Sequence, residues 1–257
     1  MAVMKKTLSV VIPVYNEEKT LLEILEIVAA RPETAEIIII DDASVDKSVE
    51  VAEDYAKSKK RGKPKVKLLR QPKNMGKGAA IRRGFDEVTA PIVIVQDADK
   101  EYTPADYPRV LEPILSGEAD VVYGSRFQGG PGKVLNFGHM TGNRIITLAS
   151  NIFTNLGLTD VESCYKVFKR EVIQNMILET NRFGIEVEMT AKLAKARELT
   201  IFEVPINYNG RTYGEGKKIT WRDGIAAFWH IFKFNVMRSA DDSFKKPWTE
   251  VLPEKRN

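Results

Sequence analysis

Short runs rich in Val and Ile alternate with helical patterns through the first half of the chain, and three of the runs stop at polar or acidic residues. This alternation is the signature of βαβ units on a parallel sheet, because a parallel neighbour needs a crossover long enough to hold a helix. Leu8–Val14 reads as a buried strand, Glu36–Ile40 as a second, Val66–Leu69 as a short third, Ile92–Gln96 as a fourth and Asp120–Tyr123 as another. Between the first two, Leu21, Leu22, Leu25 and Val28 recur at helical spacing, with Asn16 expected as the N-cap. Helices are also predicted over Val45–Lys57 behind a Ser44 cap, over Lys77–Val88, and from Pro104. The second half is less regular. It predicts helices over Asn143–Asn155 and Phe183–Ala196, and a strand over Phe202–Tyr208 that Pro205 restricts to an edge or a bulge.

With 43% hydrophobic and 29% charged residues, the 257-residue chain has enough apolar material for one large α/β domain, which excludes disordered, collagen-like and disulfide-scaffold classes. The net charge of +4 is too mild to argue for nucleic-acid binding. A single cysteine, Cys164, excludes an internal disulfide framework, and two isolated histidines, His139 and His230, exclude a His/Cys zinc cage. The apolar run near the N-terminus is too short for a secretion signal, and no window is long and apolar enough for a membrane span. The expectation is a cytoplasmic protein.

In an open parallel sheet, ligands bind beyond the carboxyl ends of the strands. Three predicted strands end there in Tyr15-Asn16-Glu17, Asp41-Asp42 and Asp97-Ala98-Asp99. Carboxylates gathered at strand ends repel one another unless a cation or hydrogen-bond donors fill the space between them. Asp97 and Asp99 leave a hydrophobic strand at i, i+2 and offer two hard oxygen ligands, with Glu101 as a third. Such a set suits Mg²⁺ or Mn²⁺, which keep waters and complete their coordination with a substrate's phosphates. The alternative is a turn-capping aspartate.

The segments VVIPVYNEE, IIIIDDASVDKS, NMGKGAAIRRGF, VIVQDADKEYTP and VVYGSRF, in this order, resemble the family 2 glycosyltransferases. Within that family the resemblance is strongest to the polyprenyl-phosphate (dolichyl-phosphate) mannose or glucose synthases, and DVESCYKVF and EVPINYNGRTYGEGKKI fit the same group. The resemblance implies a GT-A fold, a nucleotide-sugar donor of the GDP-mannose or UDP-glucose type, a divalent metal, a polyprenyl phosphate acceptor and inversion at the sugar carbon. It implies that Pro13, Tyr15, Glu17 and Asp42 contact the nucleotide, that Lys77 is a donor-side lysine, and that Asp97 and Asp99 hold the metal. Glu101 stands where relatives often carry Gln. Arg126 and Arg144 match arginines near the acceptor phosphate and the donor diphosphate; Arg211 and Lys217 match a segment that closes over the diphosphate. Gly216 replaces a more usual Ser there, and Leu148 replaces an acceptor-side Ser.

The chemistry is consistent with these placements. A departing nucleoside diphosphate gains negative charge, which a metal with Lys and Arg stabilises more in the transition state than in the ground state. The glycines around Lys77 can let backbone approach phosphate. Each lone Lys or Arg also reads as a solvated surface charge. Asp160 and Glu162 are both candidates for a general base, and both also read as turn caps. A phosphate acceptor is already ionised and needs no base. Glu186 and Glu188 read as the first turn of a helix.

Residues 1–218 are expected to form the catalytic domain, 219–238 an amphipathic helix and 239–257 a polar, partly disordered tail. On that helix Trp221, Ile225, Phe228, Trp229, Phe232 and Val236 share one face, opposite Arg222, Asp223, His230 and Lys233. The stripe suits packing onto the sheet or across a dimer, or else a membrane surface, which would place the protein peripherally on the inner membrane face. The rival readings are a GT-A enzyme acting on a saccharide or glycolipid hydroxyl, and a non-catalytic nucleotide-sugar-binding scaffold.

Overall fold

The computed structural model describes residues 6–58, 62–129, 137–210 and 221–252. In chain order the first half contains β1 (Leu8–Val14), α1 (Leu21–Ala30), β2 (Thr34–Asp41), α2 (Ser48–Lys57), β3 (Lys65–Arg70), α3 (Lys77–Phe85) and β4 (Ile92–Val95). There follow α4 (Tyr107–Leu115), β5 (Val121–Ser125), α5 (Phe137–Thr154), β6 (Lys166–Lys169), α6 (Arg170–Asn175), α7 (Ile185–Leu193), β7 (Ile201–Pro205), α8 (Trp221–Val236) and α9 (Trp248–Val251). The strands form one seven-stranded sheet in the order β3-β2-β1-β4-β6-β5-β7.

β1, β2, β3 and β4 pair in parallel. Val10, Val11 and Ile12 on β1 and Ile37 through Ile40 on β2 are all buried, as strands covered on both faces require. β7 lies on the sheet edge beside β5, where Pro205 costs no ladder hydrogen bond.

β6 was not expected. It runs antiparallel between β4 and β5, so the segment leading into it reaches the same sheet edge as the other strands' carboxyl ends. Its four residues carry a lysine at each end, which hides them from a hydrophobic-run search. Lys166 is nevertheless fully buried, its ammonium donating to the carbonyls of Val161 and Ser163.

Two helix starts also fall later than expected. Asn16 adopts φ 53° and caps no helix: its side-chain oxygen accepts from the Val45 amide at 2.9 Å, while Ser44 Oγ accepts from the Asn16 amide at 3.0 Å. The pair joins the loops leaving β1 and β2, and α1 begins only at Leu21.

Residues 239–252 read as a polar tail, yet they pack onto α6. Trp248 and Leu252 enter the main core, Phe244 meets Trp248 edge to face, and Asn175 bonds the backbone of Lys245 and Lys246. Three apolar side chains spaced through charged residues suffice to fix the segment.

α8 turns Ala227, Ile231 and Phe234 inward, against α5 and α7. Ile225, Phe228, Trp229, Phe232 and Val236 face outward, with Trp229 55% exposed. The stripe therefore does not pack on the sheet. The side chains of Trp221, Arg222 and Asp223 lie outside the described residues.

Candidate active site at the carboxyl edge of the sheet

The exits of β1, β2, β4 and β5 open onto a cavity of about 530 Å³, large enough for a small-molecule substrate. β1 contributes Pro13, Tyr15 and Glu17, β2 contributes Asp42, and the turn into α3 contributes Asn74, Gly76 and Lys77. Asp97, Asp99, Glu101 and Tyr102 follow β4, and Arg126 follows β5. Glu162 and Cys164 come from the segment before β6, Arg182, Phe183 and Glu186 from the entry to α7, and Tyr208 from beyond β7.

The Asp97–Asp99 loop is held from below by a polar network. Buried Gln96 donates to the Asp97 carbonyl at 3.1 Å and accepts from the hydroxyls of Tyr107 and Tyr165 at 2.9 and 2.6 Å. Thr20 donates to the Ala98 carbonyl at 2.9 Å, and the Asp99 carboxylate accepts the Glu101 amide at 2.9 Å. Glu101 in turn accepts the Tyr208 hydroxyl at 2.9 Å. The backbone is thus fixed where the chain changes from strand to loop, and Asp97 and Asp99 both face the cavity.

Lys77, the first residue of α3, places its ammonium 2.9 Å from Asp97 and 3.3 Å from Glu186. Burial by itself favours the neutral amine, but the Asp97 carboxylate, with Glu186 behind it, outweighs burial and holds the lysine charged. Asp42 acts on the same turn from beneath: its two oxygens accept the Met75 and Gly76 amides at 2.7 Å each.

Arg126 forms a fork-to-fork pair with Asp160, Nε and Nη2 each 2.7 Å from a carboxylate oxygen. Asp160 is fully buried and does not line the cavity; it orients Arg126 from behind. Burial opposes the guanidinium charge, and Tyr102 and Asp160 more than restore it. Glu162 does line the cavity. Burial, reinforced by the Glu186 carboxylate, pushes its pKa up to about 7 against the opposing pull of Lys166 and Arg126, with Asp160 adding to the rise. A group raised this way lends stability that is full below its ordinary value of 4.5 and is lost as pH rises through 7. We expect Glu162→Gln to gain stability relative to wild type between pH 4.5 and 8, by at most about 3 kcal/mol, in thermal melts taken across that range.

Tyr15, Glu17, Pro13, Asp42, Lys77, Asp97, Asp99, Glu101, Arg126 and Glu162 are thus brought together. Arg144 is not: it sits exposed on α5, outside the cavity lining. Arg211 and Lys217 lie outside the described residues. Cys164 is buried beside Asp97, and burial followed by that carboxylate raises its thiol well above the usual range, which leaves it a packing group. Sequence reasoning missed Asn74, Tyr102, Arg182, Phe183 and Tyr208, and it assigned Glu186 to a helix start alone. Glu186 is in the first turn of α7 and also in the cavity wall. The signal was available: Glu186 and Glu188 sit in a helix whose other residues are mostly apolar, and an acidic pair buried there needs a reason.

Seven carboxyl groups line the cavity against three basic side chains. Such a space attracts a cation and repels a diphosphate that arrives without one. Among the described residues no group of three or more His, Cys, Asp or Glu is placed to hold a metal. Asp97 and Asp99 would thus leave most coordination positions to water and phosphate oxygens, which fits Mg²⁺ or Mn²⁺ bound together with a substrate.

Residues 9–177 match the model of the glycosyl transferase family 2. Among curated relatives, the chain is 30% identical over 217 residues to a dolichol-phosphate mannosyltransferase of Pyrococcus furiosus (81% of this chain, 58% of the relative). It is 31% identical over 223 residues to an undecaprenyl-phosphate mannosyltransferase of Micrococcus luteus (80% and 85%). It is also 29% identical over 246 residues to a low-salt glycan biosynthesis hexosyltransferase of Haloferax volcanii (94% and 56%). The chain spans little more than half the length of the Pyrococcus and Haloferax proteins. A crystal structure of glucosyl-3-phosphoglycerate synthase from Mycobacterium tuberculosis, in complex with Mn²⁺, UDP and glucosyl-3-phosphoglycerate, superposes with a TM-score of 0.69 at 19% identity, covering 90% of this chain and 80% of that one. That likeness establishes the expected α/β fold, a mostly parallel sheet flanked by helices.

Proposed function

Since the chain belongs to glycosyl transferase family 2, we propose that it is an inverting glycosyltransferase that moves a hexose from a nucleoside diphosphate sugar to a polyprenyl phosphate. The observation that carries this reading is the convergence of Asp97, Asp99, Lys77 and Arg126 on one cavity at the sheet's carboxyl edge. A divalent cation held by Asp97 and Asp99 would neutralise charge developing on the departing diphosphate. Lys77 is positioned to share in that neutralisation. With Asp97 engaged by a cation, Glu186 would still anchor the ammonium and leave its remaining protons for a phosphate oxygen. Arg126, locked by Asp160, presents a fixed cation to the far wall. Tyr15, Pro13 and Glu17 at the β1 exit bound the side where the nucleotide would sit. The names of the Pyrococcus and Micrococcus relatives support a lipid phosphate acceptor.

The test is calorimetric titration of GDP and of UDP with Mn²⁺, followed by transfer from the matching nucleotide sugar to a polyprenyl phosphate. Metal-dependent binding of one nucleotide and glycosylation of the lipid are expected. Glu162 favours a second reading, transfer to a sugar hydroxyl, because a carboxyl group titrating near neutrality suits a general base. Glu162→Gln separates the two. It lowers transfer to a hydroxyl acceptor by roughly 10²-fold or more, and it leaves transfer to an ionised phosphate nearly unchanged.

Among the described residues no helix is long and apolar enough to cross a membrane. A peripheral contact is supported instead by α5 and α8, two helices that pack side by side and whose outward faces expose Ile145, Leu148, Ile152, Phe228, Trp229 and Phe232. Wild type is expected to sediment with vesicles containing anionic lipid, and Phe228→Ser/Trp229→Ser to bind them roughly 10-fold or more weakly, from the loss of two interfacial aromatics.

A further inference from the structure

Three basic side chains line the cavity, and two are committed: Lys77 to Asp97 and Glu186, Arg126 to Asp160. Arg182 is not. Its side chain is exposed at the rim, and among the described residues it has no carboxylate partner.

The backbone that carries Arg182 is clamped on both sides. Glu188, fully buried, accepts the Glu179 and Thr180 amides at 2.7 and 2.8 Å. From α3, the Ala79 amide donates to the Asn181 carbonyl at 2.9 Å, and Arg82 donates to the Leu178 carbonyl at 3.2 Å and to Asn181 Oδ1 at 2.8 Å. The two glycines flanking Lys77 serve this contact. A Cβ on Gly76, which has φ +96°, would lie 2.5 Å from the Asn181 carbonyl oxygen and 2.8 Å from Arg182 Cγ; one on Gly78 would lie 2.4 Å from the Thr180 carbonyl oxygen. The glycines expected to admit a phosphate to the backbone instead admit residues 180–182, which brings Arg182 over the turn that carries Lys77.

Lys77 and Arg126 spend their charge on carboxylates of the wall, whereas the guanidinium of Arg182, on a backbone held from both sides, keeps its donors for a group that enters from the mouth. We propose that Arg182 is a phosphate-binding residue of this site, contacting a phosphate group of a substrate at the cavity mouth. The inference rests on the glycosyltransferase reading for the identity of the substrate, and on the geometry above for the contact. A guanidinium suits this contact because its planar fork takes two phosphate oxygens at once. Two sources supply that chemistry, the donor diphosphate and the acceptor phosphate. The same 178–183 segment is tied to Lys233 on α8 and to Arg238 just beyond its end, which meet Glu179 at 3.1 and 2.8 Å, so this segment borders the helix with the exposed aromatic face.

The test is titration of three probes into wild type, Arg182→Gln and Arg182→Lys: inorganic phosphate, a short-chain isoprenyl phosphate, and Mn²⁺ with GDP or UDP. Arg182→Gln is expected to weaken at least one phosphate ligand roughly 10-fold, and Arg182→Lys to recover part of the loss by keeping the charge without the fork. Weakening confined to the isoprenyl phosphate assigns the contact to the acceptor; weakening confined to the nucleotide assigns it to the donor. Either result supports the proposal. Equal affinities for every probe in wild type and Arg182→Gln overturn it while leaving the glycosyltransferase reading intact. Failure of wild type to bind either nucleotide overturns that reading, and the inorganic phosphate arm then decides the contact by itself.

Discussion

Replacing Asp97 with Asn is expected to lower hexose transfer by roughly 10³-fold or more, the scale of losing several kcal/mol of charge stabilisation at a departing diphosphate. Nucleotide affinity should lose its dependence on Mn²⁺ in the same variant. The fold should survive, because the Asp97 backbone is held by Gln96 and not by its own carboxylate, and because Glu186 remains to pair Lys77. Calorimetry with and without metal, beside a transfer assay, reads both effects. Metal-dependent binding that persists in Asp97→Asn would remove this carboxylate from the cation's coordination and with it the main support for the site. Undiminished transfer would point to the non-catalytic alternative.

The second large effect is on stability. Arg126→Met removes the partner of a carboxylate that has no access to solvent, and breaking a buried pair from one side costs about 3–5 kcal/mol. The Arg126 amide at 3.0 Å and Asn143 at 3.3 Å would be the remaining donors to Asp160, too few for a buried charge. Chemical denaturation should therefore show Arg126→Met well below wild type, and Arg126→Met/Asp160→Asn most of the way back, since the double variant leaves no unpaired charge. Transfer should not return with stability, because the guanidinium that faces the cavity is still missing. A double variant that regains both would reduce Arg126 to a structural role. These two predictions separate the walls of the site: one carboxylate whose loss removes chemistry and spares the fold, and one arginine whose loss harms both.

Much of this site was legible before any coordinates. Leu8–Val14 and the four isoleucines of Glu36–Ile40 are apolar enough that strands buried on both faces accommodate them best, and parallel strands put their carboxyl ends on one edge. Asp42, Asp97 and Asp99 then had to share that edge. Lys77 and Arg126 were legible through the family resemblance, the one at the Asn-Met-Gly turn and the other just past a hydrophobic strand.

What the sequence determined by itself is therefore the local pattern: the strand periods, the acidic exits and the family to which their order belongs. Tertiary structure decided the rest, because it depends on contacts between residues far apart in the chain. β6 is invisible as a run of four residues with lysines at both ends, and only its antiparallel insertion between β4 and β5 turns Glu162 toward the cavity. Glu186 reaches Lys77 from far along the chain, and Arg182 packs against the Gly76 turn, because two glycines let the 180–182 segment settle on α3. The outward face of α8 has the same origin. Its aromatic stripe is the larger apolar face by composition, yet Ala227, Ile231 and Phe234 fit the space beside α5 and α7, and close packing selects the face that fits over the face with the greater area.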